Sequence, residues 1–176
     1  MRTGVLYKGS GLIFLLFVCL TGQALGQNVT RLDTTGLTEA EKRVQEIVRE
    51  DGIHVVHFWA PWCPNSINEL EAGWSDLIAA NEDVTFTYVT IWNNGRSGLE
   101  RLEQFGVGGR VEELVQPDFG PSSNRKQRRY TFLGLPVTWV PSTWIFHRRG
   151  EPAFLLNFGE MDMETIQHLI DTTRNF

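Results

Sequence analysis

The run IHVVHFWA, residues 53–60, is apolar at nearly every position and rich in β-branched and aromatic side chains, with no polar alternation. A strand of that kind has no face to offer water, so it belongs at the centre of a sheet whose two sides are both covered. After Pro61 the period changes: Ile67, Leu70, Trp74, Leu77 and Ile78 fall on one helical stripe that ends before Asn81. A central strand feeding directly into an amphipathic helix is the start of a parallel crossover, and it limits the chain to architectures that layer helices on a sheet.

The flanking segments supply the remaining parts. Thr38 opens TEAE, a capping-box pattern with Glu41 at the third helical position, and Leu37, Val44, Ile47 and Val48 keep helical spacing up to the Asp51-Gly52 turn. VTFTYVTIW reads as a second strand, GLERLEQF as a helix, VEELV as a short extended piece, PDFGPSSN as a polar connection and RKQRRYTFLG as a basic helical stretch. VTWVPSTWIF reads as a strand entered through Pro141, HRRG as a hairpin turn, PAFLLNFG as the partner strand and METIQHLIDTTRNF as a closing helix. The order predicts one α/β domain with a central mixed sheet flanked by helices, parallel crossovers first and an antiparallel hairpin at the edge.

At the N-terminus, Arg2 and Lys8 precede the apolar run GLIFLLFVCL, which is followed by TGQALGQ. This has the form of a secretory signal peptide over residues 1–26, followed by a linker over 27–36 and the domain over 37–176. The apolar run falls short of the roughly 20 residues that span a bilayer, so no stable membrane span is expected after cleavage. A lipoprotein site is disfavoured because Cys19 follows Val18, not a small residue. Cleavage would remove Arg2 and Lys8 and leave 14 basic against 21 acidic side chains, a net charge of −7, which argues against nucleic acid as a partner. It would also remove Cys19, leaving Cys63 as the sole thiol, with no intramolecular disulfide possible. Asn28-Val29-Thr30 fits a glycosylation sequon, useful only in a eukaryotic source.

Within HFWAPWCPNS, Cys63 therefore sits at a strand-to-helix junction. The unpaired N–H groups and positive dipole end of a helix N-terminus favour thiolate over thiol, which makes Cys63 a candidate nucleophile. The competing reading is a small buried hydrophobe, but a cysteine between Trp62 and Pro64 at a turn is hard to bury fully.

Here the sequence resembles the thioredoxin family. FWAPWCPNS matches F-W-A-x-W-C-x-x-C with Ser66 in place of the last cysteine, VPST over Val140 to Thr143 resembles the cis-proline signature, and HRRG with FGEMDMETIQHLI resembles the last strand and helix. The likeness covers roughly Leu37 to Phe176, with an insertion around 93–136 similar to that of exported thioredoxin-like proteins of the type used in cytochrome c maturation. The resemblance implies that Cys63 is the attacking thiol and that Val140, before a cis Pro141, pairs its backbone with the substrate. It also implies that Trp62 borders the substrate groove. Ser66 cannot resolve a disulfide, although its hydroxyl can hydrogen-bond the thiolate, so an adduct at Cys63 would await a second thiol from a client protein or a small molecule such as glutathione.

His57, six residues before Cys63, stands where the family often has a buried acid. It is either a proton carrier or a neutral core histidine bonded to backbone. His54 and His57 point to opposite faces of a strand, so a shared metal site is improbable; no metal and no cofactor are expected. The run Arg125, Lys126, Arg128, Arg129 reads as a solvated face or, if functional, a dock for an acidic partner. Of the six tryptophans, all but Trp62 are expected in the core. A thiol peroxidase would place Thr or Ser where Ala60 stands. The sequence thus leaves monothiol exchange at Cys63, a redox-inactive peptide-binding module, and a structural subunit docking through the insertion.

Overall fold

The structure, a computed structural model, describes residues 36–117, 125–157 and 159–175. The expected signal peptide, the linker through residue 35, the sequon and residues 118–124 of the polar connection lie outside them.

Helix α1 (Glu39–Ile47) starts as its sequence requires. Thr38 Oγ1 accepts the Glu41 N–H at 3.2 Å while the Glu41 carboxylate accepts the Thr38 N–H at 2.9 Å, so two backbone donors at the helix start are satisfied reciprocally. Strand β1 (Ile53–Trp59) follows and is buried at every position. After it come α2 (Pro64–Glu69), a π-helical turn over Leu70–Trp74, α3 (Ser75–Ala80) and β2 (Val84–Thr90). Helix α4 (Leu99–Gln104) and strand β3 (Glu112–Val115) complete the first half. A small hairpin, β4 (Thr131–Phe132) and β5 (Leu135–Pro136), precedes β6 (Ser142–His147), β7 (Glu151–Leu156) and the closing helix α5 (Met163–Arg174).

The main sheet runs β3-β2-β1-β6-β7, with β1, β2 and β3 parallel and β6 and β7 antiparallel to their neighbours. Strand β1 lies in the middle, which is why it carries no polar alternation. Its alternate residues feed two cores. Val56 and Phe58 pack with Val44 of α1, with its C-cap Val48, and with Phe132 and Leu133 of the small hairpin. Val55 and Trp59 pack with Leu70, Trp74 and Ile78 and with Ile166 and Ile170 of α5. Each large side chain so buried contributes about 1.5–3 kcal/mol relative to exposure.

Three segments differ from the sequence expectation. The helix after Cys63 is interrupted: Gly73 has φ 127°, a conformation open to glycine alone, and the chain passes through a π turn there. The stripe of apolar residues is continuous, but the backbone beneath it is not. RKQRRYTFLG is no α-helix. Arg125–Gln127 form one 3₁₀ turn, and the rest enters the β4–β5 hairpin. Leu133 and Gly134 both have positive φ, 51° and 76°, as a two-residue hairpin turn demands, and the buried Glu41 carboxylate accepts the Leu133 N–H at 2.8 Å. Finally, the strand containing Trp144 begins only at Ser142. Residues 137–141 are instead held outside the sheet by Asn157, which accepts the Thr138 N–H and Ser142 hydroxyl at 2.9 and 3.1 Å and donates to the Pro136 carbonyl at 2.9 Å.

Candidate functional site around Cys63

The turn that follows β1 is closed by the Cys63 N–H, which donates to the Ala60 carbonyl at 2.9 Å. Cys63 itself is the N-cap of α2, with extended backbone (φ −85°, ψ 119°), and Pro64 occupies the first turn, where its missing N–H costs nothing. This geometry leaves the thiol partly exposed. The Sγ–H donates to the Val140 carbonyl at 3.5 Å, and the Val140–Pro141 peptide bond is cis. Sequence positions far apart, 63 and 140–141, are thereby brought together.

A groove of about 370 Å³ opens beside the thiol. Trp62 is 40% exposed at its edge and its indole N–H donates to the Trp92 carbonyl at 2.9 Å. Trp139, on the segment pinned by Asn157, stands at the opposite rim and is 63% exposed. The expectation that Trp139 is core fails because the strand starts three residues later, at Ser142. The basic run is not a uniform solvated face either. The Arg128 guanidinium lies over the Trp62 ring at 5.1 Å and the Trp92 ring at 4.6 Å, and Arg129 pairs with the buried Glu41 carboxylate at 3.0 Å. Arg125 and Arg128 both line the groove.

Beneath the junction lies a second constellation. Ser66 is fully buried, and its hydroxyl accepts the Ala60 N–H at 3.4 Å. Its observed bond is thus to the turn backbone. His57 is also buried and is packed against the rings of Trp74 and Tyr88 at 4.5 and 4.9 Å. Its Nδ1 bonds the Thr143 hydroxyl at 3.0 Å, a side-chain partner and not the expected backbone one. By strand alternation His57 shares the face of Val55 and Trp59, whereas Cys63 packs with the cluster on the other face.

The partner that sequence reasoning missed is Glu69. Its Oε2 is 3.4 Å from His57 Nε2, and its Oε1 accepts the Met161 N–H at 3.0 Å. Burial raises the Glu69 pKa to about 8, only partly offset by the Met161 N–H, and burial lowers that of His57 to about 3. Both shifts favour the neutral forms at pH 7, so the 3.4 Å approach is not an ion pair, and neither His57 Nε2 nor Glu69 Oε2 has a hydrogen-bond partner among the described residues. A glutamate between the apolar positions Ile67 and Leu70 reads as the solvent side of a helix; no local signal marks it as buried.

Among the described residues no three His, Cys, Asp or Glu side chains gather in a metal-binding cluster. No helix among them is long and apolar enough to cross a membrane.

No family model matches the sequence, and no curated protein matches it. Solved structures do. A DsbF homologue from Corynebacterium diphtheriae superposes with a TM-score of 0.53 at 17% identity, covering 70% of this chain and 73% of that one. A thiol-disulfide isomerase from Corynebacterium glutamicum superposes at 0.50 and 15% identity, covering 81% and 88%. A secreted disulfide oxidoreductase of Mycobacterium tuberculosis, homologous to the DsbE protein of E. coli, superposes at 0.50 and 20% identity, covering 72% and 85%. The fold is thioredoxin-like.

Proposed function

We propose that the chain is an exported thioredoxin-like protein that performs monothiol exchange through Cys63 with client proteins or small thiols. The observation that carries this reading is the placement of a partly exposed thiol at the N-cap of α2, 3.5 Å from the Val140 carbonyl and open to a groove. The names of the solved structures, oxidoreductase and isomerase, agree with it, as does the N-terminal run GLIFLLFVCL for export.

In the proposed reaction the Cys63 thiolate attacks one sulfur of a client disulfide, a new S–S bond forms, and the other client sulfur leaves as thiolate. No electrons are lost overall. With serine at position 66, release requires a second thiolate from outside, which attacks the mixed disulfide and restores the Cys63 thiolate. Trp62 and Val140 border the client, and Pro141, lacking an N–H, leaves the approach to the thiol unpaired. His57 and Ser66 support the turn from beneath.

The test is trapping of mixed disulfides on non-reducing gels, with the native chain compared against Cys63→Ala. Adducts that form with the native chain and are absent in Cys63→Ala are expected. Client capture unchanged in Cys63→Ala would overturn exchange in favour of non-covalent binding in the groove.

A further inference from the structure

The whole chain is acidic, with 21 Asp and Glu against 16 Lys and Arg, yet among the described residues the charged side chains lining the groove beside Cys63 are Arg125 and Arg128. An arginine on an open surface is a weak reader of charge, because its long side chain must be ordered and water screens it. Arg128 is differently placed. Its guanidinium is laid over two indoles, at 5.1 and 4.6 Å, so much of that ordering is already done before a ligand arrives. The groove reaches from the thiol to the exposed Trp139 and the Val140 backbone, which gives room for side chains on a peptide and more than a lone thiol requires.

We infer that this groove selects extended client segments in which a carboxylate side chain flanks the reacting cysteine, with Arg125 and Arg128 as the specificity residues. The inference rests on the exchange chemistry proposed above. The client sulfur meets Cys63 while its neighbouring Asp or Glu faces the two guanidinium groups. Charge-assisted bonds there, formed in a partly desolvated setting, favour capture of acidic segments and speed their encounter.

The experiment uses the full chain and two synthetic peptides activated as 2-pyridyl disulfides, identical except that Asp or Asn flanks the cysteine. Attack by the Cys63 thiolate on the peptide sulfur forms the mixed disulfide and releases 2-thiopyridone, whose absorbance gives the rate. Rates are divided by those of free cysteine with the same peptide, which removes the intrinsic effect of Asp on the disulfide. The Asp peptide is expected to react about tenfold faster after this correction, with the advantage shrinking as salt rises. In Arg125→Gln/Arg128→Gln the ratio should fall to near one, while Arg128→Lys, which keeps the charge but not the planar stack on the indoles, should retain only part of it. Arg125→Gln alone, at an exposed position, should lower the ratio with no effect on folding.

Equal corrected rates in the native chain, or a ratio indifferent to the arginines, would overturn the inference while leaving exchange intact. Arginine-dependent reaction with glutathione disulfide but not with the Asp peptide would also overturn it, by assigning the groove to a small thiol. Failure of both peptides to form an adduct at Cys63 would remove the exchange reading itself, and this inference with it.

Discussion

Ser66 is the residue at which the chemistry of the junction is decided. It is buried, one helical turn from Cys63, and holds the Ala60 N–H at 3.4 Å, so it fixes the turn that presents the thiol. Ser66→Ala removes that acceptor and should cost about 1 kcal/mol, in the range of one hydrogen bond, measured by denaturant unfolding. Ser66→Cys should do something different: a second thiol three positions along the helix completes a C-x-x-C pair, and oxidation should close it. Intact mass under oxidising conditions should fall by the two hydrogens lost, and mixed disulfides at Cys63 should become short-lived. An unchanged mass would mean that the two side chains are not in bonding reach. The sequence pattern around Cys63 was sufficient to place this pair, because a strand-to-helix change of period is a local signal. It was not sufficient to find Glu69, which is followed by the π turn and accepts the N–H of Met161, far along the chain just before α5.

At the level of elements, what holds the groove open is the segment 136–142 between the small hairpin and β6. Sequence reading merged this segment with the strand because VTWV is apolar and β-branched, and such local preference yields to tertiary context. The deciding interaction is non-local: Asn157 at the end of β7 takes up the Thr138 N–H and the Ser142 hydroxyl and donates to the Pro136 carbonyl. Those groups then cannot serve a sheet ladder. Asn157→Ala should leave the sheet intact while freeing this segment, at a cost of about 1–3 kcal/mol. Hydrogen exchange should show lost protection at Thr138 and unchanged protection in β1 and β2. The rate of adduct formation at Cys63 should fall as well, since the Val140 carbonyl that meets the thiol lies on the same segment. Loss of protection throughout the sheet would mean that Asn157 supports the whole fold and not this segment. The same logic explains the misread basic stretch. Its turn at Leu133 is set by Glu41 on α1, a partner that no window around residue 133 contains.

For the molecule as a whole, the buried pair Glu69 and His57 should shape how stability varies with pH. Glu69 has its pKa raised from 4.5 to about 8. Between those values the unfolded chain is ionised there while the folded one keeps its proton, so stability falls as pH rises. His57 is lowered from 6.5 to about 3; between those values the unfolded chain carries the extra proton, so stability falls as pH drops. The two slopes oppose each other from pH 4.5 to 6.5 and nearly cancel, leaving a plateau. Above pH 6.5 only Glu69 acts, and over the interval up to pH 8 it should remove about 2 kcal/mol at the usual 1.36 kcal/mol per pH unit. Glu69→Gln keeps the size and shape of the side chain but cannot ionise, so its stability should stay level from pH 6.5 to 8, while its loss below pH 6.5 should steepen because nothing offsets His57. Urea unfolding of both proteins at intervals across pH 4 to 8 reads this directly. Parallel curves for the native chain and Glu69→Gln would show that Glu69 is ionised in the folded state at neutral pH. The contact with His57 would then set a buried carboxylate against the imidazole, a different and far more costly arrangement.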